Sequence, residues 1–203
     1  MNYKKIYLVE FHDIDLFKIS CYNILRNSTN WGLTMKVCFL GHRTIEKREE
    51  LAKSLTEIIE LLINKGYTTF LFGSNSAFID LSWEIVTKLK EKYPFINRVY
   101  VRSSYQYIDK SYENYLLQFY EKTYFPQKLE NAGKLSYVER NYEIIDNSIC
   151  CIFYYNENYV PTQKKRIKPN TIFNFSTTSG TKLAYEYAVK KKKQIINLYK
   201  QKD

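Results

Sequence analysis

The chain has few of the residues that most often announce a function. Two histidines and four cysteines, Cys21, Cys38, Cys150 and Cys151, stand in 203 residues, and no Cys-x-x-Cys pair or zinc-ligand spacing links them. A metal site and a disulfide framework are therefore not expected. The adjacent Cys150 and Cys151 fall on an apolar run, where alternate side chains point to opposite faces, so buried free thiols in a reducing compartment are expected. No apolar run approaches the roughly 20 residues of a membrane span, and the N-terminus lacks the apolar core of a signal peptide. The expected setting is cytoplasmic, without a membrane partner. Glycine-rich phosphate loops of the Walker or Gly-x-Gly-x-x-Gly kind are missing, as is a Gly-x-Ser-x-Gly elbow. ATPase, lipase and metalloprotease chemistry have no support.

Charge is what the chain has in excess, a formal +10, and it is unevenly placed. Residues 164–203 hold eleven Lys or Arg against two acids, and the remainder is close to neutral. A basic segment can attract nucleic acid. Lys190 to Lys193, however, also close an expected helix, where cations complement the carbonyl end of the macrodipole. Abundant Lys, Ile, Asn and Tyr suggest an AT-rich genome, which raises lysine content without functional pressure.

Residues 1–34 differ in pattern from the rest of the chain and end in the polar run Arg26-Asn-Ser-Thr-Asn30. Trp31-Gly32 requires a guanine-rich codon pair shortly before Met35, as a translated ribosome-binding site would. We therefore expect residues 1–34 to be an upstream extension or a loosely attached arm, and 35–203 to be one domain. Some 170 residues are enough to bury about 70% of the unfolded surface in a sheet covered on both faces.

From Met35 onward, strand and helix patterns alternate. Val37-Cys-Phe-Leu40 reads as a buried strand ending in Gly41-His42-Arg43, and a helix over about 45–65 places Leu51, Leu55, Ile58 and Leu62 on one face before Gly66. Strands are expected at 68–72, 98–102, 149–155 and 194–198, with helices from Gly73-Ser74-Asn75-Ser76 to Tyr93 and over 181–193. Ser136 and Glu139 have capping-box spacing at another helix start. The Tyr- and Phe-rich segment 105–133 reads as a helical excursion over one sheet edge, and 156–178 as a long loop. The expected fold is α/β, a Rossmann-like, doubly wound, mostly parallel sheet with helices on both faces.

In such a sheet the ligand crevice lies beyond the carboxyl ends of the strands. Those ends supply Gly41, His42 and Arg43, then Gly73, Ser74 and Asn75, then Arg102, with Ser179, Gly180 and Thr181 at the start of the last helix. Glycine lets backbone amides approach an anion, a helix N-terminus offers unpaired N–H groups, and arginine adds a bidentate fork. Any strand-to-helix turn also favours these residues for capping alone; convergence of several on one edge points to a phosphate-bearing ligand. His42 has the ordinary pKa of a general acid or base, or serves as a neutral phosphate donor or a hydrogen-bonded turn residue. Glu84 is the weak catalytic candidate, on the helix face opposite the core together with Asp80.

Cys38-Phe-Leu-Gly-His-Arg43, Phe72-Gly-Ser74, Tyr137-Val-Glu-Arg-Asn141, Cys151-Ile-Phe-Tyr-Tyr155 and Ser179-Gly-Thr-Lys-Leu-Ala-Tyr-Glu-Tyr-Ala188 together resemble the YpsA-like branch of the SLOG superfamily, named for the Smf/DprA and LOG proteins. The resemblance spans Met35 to about Tyr199. It implies a Rossmann-like domain binding nucleotides or nucleotide-derived signals such as an ADP-ribose species, with Glu84, Arg140 and Asn141 near the three turns. No cofactor is expected. Sensor proteins, sequestering proteins of mobile elements and phosphoribohydrolases of the LOG type all fit this frame. Two departures are visible: Phe78-Ile79 stands where relatives often have Phe-Asp, and the LOG motif's glutamate three after the threonine is here Ala184. The nearest acid, Glu186, is rotated by about 200° on a helix. Recognition without turnover is therefore expected first. An N-glycosidase using Glu84 is second, single-stranded DNA binding as in the DprA relatives is third, and homo-oligomerisation stays open.

Overall fold

The computed structural model describes residues 8–10, 35–73, 75–160 and 179–199. Its core is a parallel sheet in the order β1-β7-β6-β2-β3-β4-β5. The strands are β1 (Leu8–Glu10), β2 (Met35–Gly41), β3 (Tyr67–Phe72), β4 (Asn97–Val101), β5 (Lys122–Tyr124), β6 (Cys150–Tyr154) and β7 (Gln194–Asn197). Five helices accompany them among the described residues: α1 (Arg48–Asn64), α2 (Ala77–Lys92), α3 (Lys110–Leu117), α4 (Ser136–Asp146) and α5 (Gly180–Lys190). From β2 the chain steps outward through β3, β4 and β5, then returns to lay β6 on the other side of β2. The order reverses between β2 and β6, the topological switch point where open α/β sheets bind ligands.

Alternation along the central strands builds two cores. Val37, Phe39, Phe70, Phe72, Cys150 and Ile152 face α1 and α2, whereas Cys38, Leu40, Leu71, Val99, Cys151 and Phe153 face Ile144 and Ile145 of α4 and Ala184 and Ala188 of α5. Cys38, Cys150 and Cys151 are free and buried, the last two on opposite faces. The fold is thus doubly wound and Rossmann-like. No helix among the described residues is long and apolar enough to cross a membrane.

Local chemistry moves several expected boundaries. Helix α1 starts at Arg48 rather than near Ile45, because Lys47 takes a left-handed φ of 45° and the Glu46 N–H is held by the Tyr154 hydroxyl at 3.0 Å. Its end follows the pattern, with Gly66 at φ +90° donating to the Ile63 carbonyl. Ser76 caps α2 by accepting from the Ile79 N–H at 3.2 Å. The capping box at Ser136 does not form: a 3-10 turn, Gly133–Leu135, runs directly into α4, so Leu135 is already right-handed helical and no side chain caps it. Helix α5 ends at Lys190, not Lys193, and Lys192 turns to a left-handed φ of 54° before β7.

Segment 105–133 holds more than helix. β5 is a short edge strand pairing Lys122, Thr123 and Tyr124 with Val99, Tyr100 and Val101. Its anchor is Glu121, whose carboxylate accepts from the backbone N–H of Arg98 and meets its guanidinium at 2.8 Å. At the other edge, Leu8–Glu10 pairs in parallel with Ile195–Asn197. Ser74, the basic run 164–168 and most of the loop 156–178 lie outside the described residues.

Candidate functional site

Each βα turn at the carboxyl edge uses its polar groups differently, and the first turn uses them inward. Gly41 is dictated by packing: a Cβ there would lie 2.4 Å from Cδ1 of Phe78, a fully buried ring of α2. The His42 backbone N–H donates to the Tyr154 carbonyl, and the Arg43 carbonyl accepts from Ala77. The His42 side chain is only 2% exposed. Its Nε2 lies within hydrogen-bond distance of the Asn156 backbone, 2.9 Å from the N–H and 3.2 Å from the carbonyl, and its ring stacks on Tyr159 at 3.8 Å between centroids. Burial lowers the His42 pKa, partly opposed by the Asn156 backbone hydrogen bond. The residue therefore ties the end of β2 to the chain leaving β6. Nδ1 is left buried without a partner among the described residues, and Arg43 is exposed.

The second turn is filled as closely as the first, but by a charged side chain. Gly73 is buried, and a Cβ there would meet Ile144 Cδ1 at 2.5 Å and Arg140 Cδ and Nε at 2.9 Å. Glycine at the end of β3 makes room for the Arg140 side chain crossing from α4. Arg140 is 3% exposed. Its Nη1 donates to Ser103 Oγ at 3.1 Å, its Nη2 to Asn141 Oδ1 at 3.2 Å, and Nε has no partner among the described residues. No carboxylate reaches ion-pair distance of Arg140 among the described residues. The ionisable groups that favour its charge are the hydroxyls of Tyr100 and Tyr137, and burial pulls its pKa down to about 10. A buried cation with no counter-ion is costly to keep and is retained where an anion arrives.

Arg102 follows β4 on the same edge, directly before Ser103. Its Nη1 donates to the carbonyls of Tyr105 and Gln106, drawing in a loop where Tyr105 holds a left-handed φ of 59°. Arg102 Nε is buried without a partner among the described residues. The Tyr100 hydroxyl lies within the field of both guanidiniums, which oppose the rise that burial imposes on its pKa.

The third turn is the start of α5. Ser179 Oγ accepts from the Lys182 N–H at 3.1 Å, and Thr181 is half-buried. A Cβ at Gly180 would meet nothing within 4 Å.

Of the expected site residues, Arg140 and Asn141 come together with Gly73, and Arg102 stands directly before Ser103, the partner of Arg140. His42 faces the β6 exit, Asn75 is exposed, and Ser74 lies outside the described residues. Glu84 stands apart: it is exposed, and its carboxylate is 2.6 Å from Arg48 Nη2. Asp80 is exposed, its pKa raised by desolvation and by Glu84 and lowered by Arg48. Glu186 points its carboxylate toward Lys182 at 4.0 Å, while Ala184 is buried in the core. Three residues of the edge, Ser103, Tyr100 and Asn156, are not among those the sequence marks. Ser103 carries a usable signal, as the first hydroxyl after a strand that ends in a cation. No group of three or more His, Cys, Asp or Glu able to hold a metal ion occurs among the described residues. Neither a family model nor a curated protein matches the chain.

Proposed function

We propose that the chain is a SLOG-type binding protein that takes a nucleotide or nucleotide-derived signal, such as an ADP-ribose species, at the carboxyl edge of the sheet and does not turn it over. The observation that carries this is Arg140: a buried guanidinium with no carboxylate at ion-pair distance among the described residues, packed against Gly73 at the edge where the fold collects ligands. The switch point on the same edge supplies aromatic surface in the half-buried Tyr159 and in Tyr155, stacked on Tyr185 at 4.4 Å. Such rings suit a base or ribose better than a charged group.

Turnover by an N-glycosidase route would require a carboxylate beside the ligand. Glu84, the candidate, is held by Arg48 on the exposed side of α2. Single-stranded DNA binding through the lysine run is disfavoured by the engagement of Lys193, whose ammonium donates to the Asp146 and Ser148 carbonyls, and of Lys191, 3.2 Å from Asp146. These lysines close the end of α5 against α4.

A thermal-shift panel of mono-, di- and cyclic nucleotides and ADP-ribose tests the proposal. A ligand at about 100 times its dissociation constant adds roughly 2.7 kcal/mol, which is about 5–10 °C for a domain of this size. A panel in which every compound leaves the midpoint unchanged overturns it.

A further inference from the structure

The geometry points to a paired-arginine receptor, Arg102 with Arg140, that selects two negative charges, carried by one phosphomonoester or shared across a diphosphate, over the single charge of a phosphodiester. This rests on the nucleotide-binding proposal and narrows it: the ligand carries a terminal phosphomonoester or a diphosphate, not merely a cyclic or bridging phosphodiester.

Three observations carry it. The two arginines share neighbours: Arg140 Nη1 donates to Ser103 Oγ, Ser103 directly follows Arg102 after β4, and both guanidiniums act on the Tyr100 hydroxyl. Neither has a carboxylate within ion-pair distance among the described residues, although the chain pairs other arginines closely, Arg98 with Glu121 at 2.8 Å and Arg48 with Glu84 at 2.6 Å. The donors left over are the useful ones. Arg102 is held to the loop by Nη1 alone, so its Nε and Nη2, the edge that forms a bidentate fork, have no partner among the described residues. Arg140, almost wholly withdrawn from solvent, keeps Nε unpartnered as well.

Two partly desolvated cations are balanced by about two negative charges, which a phosphomonoester supplies at neutral pH. A cyclic phosphodiester carries one and leaves a buried cation uncompensated, which is the costly arrangement. Donation from two guanidiniums to separate oxygens is best met by the three free oxygens of a phosphomonoester or those of a diphosphate, geometry that guanidinium matches better than ammonium.

Calorimetric titration at constant ionic strength, using 5′-AMP, ADP-ribose, 3′,5′-cyclic AMP, adenosine and inorganic phosphate, tests the inference on the wild-type chain and on Arg102→Gln. The expected result is that AMP or ADP-ribose binds at least 10-fold more tightly than cyclic AMP, that phosphate competes, and that Arg102→Gln brings the ratio close to one. AMP and ADP-ribose separate the two phosphate sources. Nucleotide binding with equal affinity for AMP and cyclic AMP, or a ratio unchanged in Arg102→Gln, overturns the arginine pair and leaves the nucleotide proposal standing. Phosphate binding that depends on Arg102 without any nucleotide binding supports the pair and overturns the nucleotide proposal. Absence of binding by all five compounds overturns both.

Discussion

The turns after β2 and β3 look alike in sequence, each a glycine at the end of a buried strand followed by polar residues, yet they do opposite work. At the first, Gly41 admits the Phe78 ring and His42 fastens β2 to the exit of β6. At the second, Gly73 admits the Arg140 side chain, whose charge nothing among the described residues neutralises. A glycine after a strand therefore reports close approach, and only the identity of what approaches separates a packing turn from a binding turn.

Alanine at each glycine sharpens this contrast most strongly. Both substitutions force a Cβ into contacts below 3 Å, and each is expected to cost about 2–3 kcal/mol in denaturant unfolding. Gly41→Ala should leave the affinity of the folded fraction unchanged, while Gly73→Ala should weaken nucleotide binding at least 10-fold by displacing Arg140. Equal loss of affinity in both would break the distinction.

Arg140→Met comes next, and its sign is diagnostic. The folded pKa, about 10, lies below the ordinary guanidinium value, so the charged form is disfavoured by folding. That penalty is fully present at neutral pH and is relieved only as pH rises through about 10. Removing the charge should raise ligand-free stability by about 1–2 kcal/mol, or a few degrees in the thermal midpoint, while abolishing ligand-induced stabilisation. A purely structural arginine would instead lower the midpoint.

His42 provides a smaller test in the other turn. Because burial lowers its pKa, the neutral form supports folding; that contribution is complete above the unfolded value of 6.5 and is lost as pH falls below it. Unfolding measured between pH 8 and pH 5 should show a loss of about 1 kcal/mol that His42→Gln removes. The smallest effect belongs to Glu84→Gln. An exposed ion pair with Arg48 is worth under about 1 kcal/mol, and ligand affinity should change less than twofold.

The parallel sheet is legible in the sequence because its central strands are continuous apolar runs and its helices carry regular apolar faces. β5 is not, since Lys-Thr-Tyr has no apolar pattern and owes its place to Glu121 gripping Arg98 from a neighbouring strand. The candidate edge is legible residue by residue, from Gly41 to Thr181, because strand ends can be marked from sequence alone. Which cations are neutralised cannot be read in the same way. Arg48, Arg98, Lys191 and Lys193 all find acceptors far away in the chain, and only three-dimensional structure shows that Arg140 and Arg102 have no carboxylate within ion-pair distance among the described residues. The histidine's inward turn is hidden for the same reason, its partner Asn156 lying 114 residues away.

A structure of the chain with 5′-AMP or ADP-ribose bound tests the central claim most directly. The expected result is a phosphate oxygen about 2.7–3.1 Å from Arg140 Nε, with a second oxygen on Arg102. Phosphate density on Arg43 at the first turn, with Arg140 Nε still unpartnered, would contradict it.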